Sequence, residues 1–86
     1  AIRHIGFAQH DAGEVAAART SLYESLVLRE QAGFVPGVAM ALVMLAYADT
    51  ELGQRELAVQ HLLQAQAIFR QLGAERKVDW VTGLLA

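Results

Sequence analysis

The sequence predicts an all-α protein of about five helices, packed as antiparallel pairs that stack on one another. Three observations carry that expectation. Sliding the chain by 40 residues brings ten of 46 aligned positions into identity. The chain holds one proline and is otherwise rich in Ala, Leu, Gln, Glu and Arg, which are strong helix formers. Glycines at 13, 33, 53 and 73 cut it at even intervals.

The repeat is stronger in pattern than in identity. Gly13 meets Gly53, Ala18 meets Ala58, Leu22 meets Leu62, Gln31 meets Gln71 and Gly33 meets Gly73. Val38 meets Val78, Leu45 meets Leu85, and Ala1, Ala8 and Ala46 meet Ala41, Ala48 and Ala86. Most mismatches are like for like, as in Ile5/Leu45, Phe7/Tyr47 and Asp11/Glu51. A period of this length marks stacked helical units, each of which needs a neighbour to bury its apolar face.

Each element then follows in order. The first helix is predicted over 1–12 and the second over 15–32, with Gly13 as the break. The third spans 36–52, and Pro36 suits its first turn, where a missing N–H loses no helical bond. The fourth spans 55–72 and the fifth runs from 76 to the end. Glycine just past a helix end adopts the left-handed conformation without a Cβ penalty. Gly6, Ala46 and Ala86 on one helix of each pair, and Ala18 and Ala58 on the other, let paired helices approach closely. The units are read as 1–37, 38–77 and the start of a third at 78–86.

Composition narrows the function. Eighty-six residues make one small domain, with 55% apolar and only 19% charged residues. Such a chain is too apolar for intrinsic disorder. A net charge of −2, with Arg76-Lys77 as its longest cationic cluster, lacks the footprint of a nucleic-acid or membrane-surface binder. The absence of cysteine removes disulfides, thiolate zinc sites and cysteine nucleophiles, and fits a cytoplasmic setting. The longest apolar run, Val38 to Ala48, falls short of the roughly 20 residues a spanning helix needs. The chain opens on Ala1 without a signal-like segment. It reads as a piece of something longer, with removal of an initiator Met as the alternative.

The repeat resembles the tetratricopeptide repeat. The residues that carry the resemblance are Ile2, Ile5-Gly6, Gly13, Ala18, Leu22 and Ser25 in the first unit. Leu42, Leu45-Ala46, Gly53, Ala58, Leu62 and Ala65 carry it in the second, and Leu85-Ala86 open the third. Gln9 and Asp49 stand where the family often has a large aromatic. The family's usual proline at the end of the second helix is absent, and the period is 40 rather than 34. The texture is that of the longer-helix variant found in multidomain bacterial regulators. The resemblance implies a right-handed α-solenoid and a protein-binding role.

No chemistry competes with that role. His10, Asp11 and Glu14 lie near the expected Gly13 turn and read as solvated rather than as a metal site, which needs three or four convergent ligands. His61, beside Gln60 and Gln64, reads as a surface residue. No Ser or Thr sits in a nucleophile elbow, and the glycines are spaced as helix stops rather than as a phosphate loop. The chain is read as a non-enzyme without cofactor or metal.

In the family, the first helix of each unit lines the concave face. Carried over position by position, that face holds Arg3, Phe7 and His10, then Met40, Met44, Tyr47 and Glu51, then Trp80 and Leu84. Aromatics, Met and Arg are enriched in interface cores. The competing reading makes these same residues core, because the helix over 36–52 is apolar on every side. Neither the first nor the fifth helix has the polar outer face of a cap. The expected partners are therefore a protein or peptide in the groove, and further repeats or a second copy at the ends. A regulatory segment of a larger signalling or transcription-regulator protein is the third expectation.

Overall fold

A computed structural model describes residues 12–86. It contains four helices, α1 (Ala12–Ala32), α2 (Val35–Glu51), α3 (Arg55–Gln71) and α4 (Glu75–Leu85), and no strand among the described residues. The helix expected over 1–12 lies outside them. The four that follow begin and end within a few residues of their expected bounds.

Three closely similar turns join the helices. Gly33, Gly53 and Gly73 all adopt positive φ, between 70° and 75°. At each, the glycine N–H bonds the carbonyl three residues back and the next N–H bonds the carbonyl five residues back. At the second turn these are Gly53 to Thr50, 3.1 Å, and Gln54 to Asp49, 2.7 Å. The pairs Gly33 to Glu30 with Phe34 to Arg29, and Gly73 to Arg70 with Ala74 to Phe69, repeat it. This double closure satisfies carbonyls that the end of a helix leaves bare.

Gly13 differs. It lies inside α1 rather than at a break. A helical glycine costs only about 1 kcal/mol relative to Ala, and Ala12, Glu14 and Ala16 around it supply compensating propensity. Gly13 and Gly53 align in sequence but not in conformation.

Pro36 occupies the first turn of α2, as its fixed φ favours. One residue on, Gly37 is buried beneath the side chain of Phe34. A Cβ there would overlap the Phe34 ring and come within 3.1 Å of Arg29 Cδ. Arg29 also donates from its guanidinium to the Gly37 carbonyl at 2.7 Å. The close approach therefore lets α1, the turn and α2 lock together.

The core runs through all four helices. α2 supplies most of it, with Ala39, Ala41, Leu42, Val43, Leu45 and Ala46. Leu26 comes from α1, Ala58, Leu62, Ala65 and Phe69 from α3, and Val81 and Leu84 from α4. Leu45, Leu62, Val43 and Val81 are fully buried. The spacing of Ala58, Leu62, Ala65 and Phe69 by four, three and four residues is the stripe of a helix with one covered side. α1 and α3 flank α2, and α4 packs on α3.

Candidate functional site

The candidate surface rests on α2. Between Gly37 and Glu51 this helix is buried nearly all round. Apart from Val38 and Thr50, its half-buried residues are Met40, Met44, Tyr47 and Glu51. These four follow at intervals of four, three and four, so they form one stripe along the helix. Met40 and Tyr47 rest their inner atoms against the core and leave the remainder uncovered. The stripe is therefore both core edge and surface.

The other expected residues divide. Arg3, Phe7 and His10 lie outside the described residues. Trp80 on α4 is 36% exposed, with Lys77 Nζ 5.7 Å from its ring centroid. That separation places the ammonium within cation–π range. Leu84 lies in the core at 8% exposure and presents little of itself to a partner.

A polar cluster that the sequence reading did not foresee ties three helices together. Asp49 of α2 is completely buried. Arg19 of α1 donates from Nε to its Oδ1 at 2.6 Å, and His61 Nδ1 of α3 lies 2.6 Å from its Oδ2. The side chain of Arg19 remains 33% exposed and that of His61 15%. The expectation that His61 is a solvated surface residue is corrected: burial of Asp49 demands partners, and His61 is one. One signal was present. Asp49 shares a helical face with Leu42, Leu45 and Ala46, so an acid there had to be buried and partnered.

A second polar link joins α3 to α4. The buried Gln66 donates from Nε2 to Thr82 Oγ1 at 2.7 Å, and Thr82 donates to the Val78 carbonyl at 2.9 Å. Neither cluster has the make-up of a metal site, and no group of three His, Cys, Asp or Glu residues converges among the described residues.

A shallow cavity of about 380 Å³ opens between α1 and α3 over the first half of α2. Leu26, Val38, Leu42, Ala67 and Ile68 line it, with Glu30, Gln64 and Gln71 at the same walls. No helix among the described residues is long and apolar enough to cross a membrane. Comparison of the chain with protein-family models, with curated proteins and with solved structures finds no match.

Proposed function

We propose that the chain is a protein-interaction module, an α-solenoid segment resembling a tetratricopeptide array that holds a peptide or helix against α2 and α4. One observation carries the reading. Met40, Met44, Tyr47 and Glu51 form a half-buried stripe on a helix that is otherwise mostly buried between Gly37 and Glu51. A core-only helix has no need of a continuous half-buried row of Met and Tyr. Flexible Met side chains adapt to varied partners, and Tyr adds area at low entropic cost. Trp80 is the 40-residue equivalent of Met40, and its exposure supports a surface that continues onto α4.

The test selects binding peptides from a displayed library. The selected peptides should lose at least tenfold in affinity, about 1.4 kcal/mol, on Tyr47→Ala combined with Trp80→Ala, with helicity by circular dichroism retained. Unchanged affinity in the folded double variant rejects the reading.

A second reading is self-association. Tyr23, Leu28, Phe34, Leu63 and Leu72 are all large, apolar and between 46% and 65% exposed. Scattered exposed apolar residues are ordinary, so only their number favours this reading. A strictly monomeric sedimentation profile at micromolar concentration rejects it. A role within a larger bacterial regulator rests on the texture of the sequence alone.

A further inference from the structure

The geometry points to a second docking site, on the opposite side of α2 from the Met40–Tyr47 stripe, that accepts a lysine or arginine side chain of a partner peptide. The site is the cavity between α1 and α3. Its floor is apolar, made by Leu26 and Leu42, at 7% and 4% exposure, and by the half-buried Ile68. Its mouth is polar, with Glu30, Gln64 and Gln71, all exposed. No cation lines it. At about 380 Å³ it has room for one long side chain and part of a neighbour.

The charge at the mouth selects the occupant. Glu30 has no ion-pair partner among the described residues. It sits in the last turn of α1, at the negative end of the helix dipole, where a carboxylate is unfavourable. α1 and α3 both run antiparallel to α2, so α3 also ends at this side of the cavity, beside Gln71. Two negative helix ends meet there, balanced by the positive N-termini of α2 and, past the Gly73 turn, of α4, so the Glu30 carboxylate carries the net negative charge of the mouth. Arg29, the cation adjacent in sequence, is turned to the Gly37 carbonyl. Arg70 lines a different cavity, against α4.

A long cationic side chain fits both halves of this arrangement. Its aliphatic stem covers Leu26, Leu42 and Ile68, and its charged tip reaches Glu30 and the amide oxygens of Gln64 and Gln71. Lys and Arg bury their stems along apolar surface while keeping the head near water in this way. An aliphatic side chain would cover the floor but leave the negative mouth unanswered. An acidic one would be repelled.

The probe is a fluorescein-labelled, alanine-based helical peptide with one lysine flanked by leucines. A second peptide replaces that lysine by norleucine, which keeps the stem and removes the ammonium. Anisotropy is measured with the full chain, with Glu30→Gln and with Glu24→Gln as a charge-matched control. The lysine peptide should bind about two- to fivefold tighter than the norleucine peptide. Glu30→Gln should abolish that difference and Glu24→Gln should keep it. Methyl shifts should move at Leu26, Leu42 and Ile68, and not at Met40 or Met44. Equal affinity for the two peptides overturns the proposal, as does a preference that survives Glu30→Gln. Shifts confined to Met40 and Met44 overturn it while upholding the interaction surface on that face. A dimer closed through the cavity and weakened by Glu30→Gln overturns it in favour of a second copy as occupant.

Discussion

His61 Nδ1 and Asp49 Oδ2 meet at 2.6 Å across the α2–α3 pair, twelve residues apart in sequence. With Arg19 on the other oxygen, one buried carboxylate holds two flanking helices to the central one. Removing the carboxylate strands both partners, whereas removing the whole cluster strands nothing. Asp49→Ala should therefore lower the free energy of unfolding by about 2–3 kcal/mol, since Arg19 is part-exposed and recovers some solvation. The triple variant Arg19→Met, Asp49→Leu, His61→Leu should regain most of that loss. Urea midpoints at unchanged slope measure both. A triple variant less stable than Asp49→Ala would show the cluster to be a net stabiliser rather than a means of fixing register.

Leu62 and Leu63 are neighbours with opposite expectations. Leu62 is fully buried and Leu63 is 50% exposed. Leu62→Ala should cost about 3–4 kcal/mol, enough to unfold much of so small a domain. Leu63→Ala should stay within about 0.5 kcal/mol. Thermal melts separate the two outcomes without ambiguity.

Phe34 and Gly37 should behave as one unit. Gly37→Ala forces the Phe34 ring aside and should cost about 1–2 kcal/mol. Once Phe34 is Ala, the same change should cost nothing or gain a few tenths, because Ala is the better helix former. Additive costs in this double-mutant cycle would show that the ring does not set the constraint.

At Gly53, φ is +75° and nothing lies within 4 Å of a Cβ built there. Gly53→Ala should thus cost about 1–2 kcal/mol through backbone strain alone. Gly53→Asn should cost less, because Asn tolerates the left-handed region. Equal costs would point to steric contact instead.

α4 contributes only Val81 and Leu84 to the core and one side-chain link, Gln66 to Thr82, to α3. Its amides should exchange with deuterium faster than those of α2. Thr82→Val should speed that exchange further while leaving α2 unaffected. Acceleration in both helices together would mean that the four helices open as one.

Much of the fold was legible because its signals are local. The stops at Gly33, Gly53 and Gly73 and the start at Pro36 act through their own backbone preferences. The stripe of Ala58, Leu62 and Ala65 shows in the period of one helix. Gly13 misled because helical tolerance of glycine depends on flanking residues, not on the glycine itself. The Asp49 cluster was missed for another reason: its partners lie 30 and 12 residues away, and only packing joins them. Met40, Met44 and Tyr47 came from the family resemblance carried over by position, which gives no measure of how far neighbouring helices cover them.

The three glycine turns have a counting consequence. Chain direction reverses every 20 residues, at 33, 53 and 73, while the side-chain pattern returns only after 40. Inserting one helix with its turn would invert every helix downstream. Each carboxyl end would then stand where an amino end had been, and inward-facing leucines would meet the wrong neighbours. Inserting two would restore both. Growth or loss by internal duplication is thus tolerated only in even steps, a parity rule set by the turns and enforced by the packing.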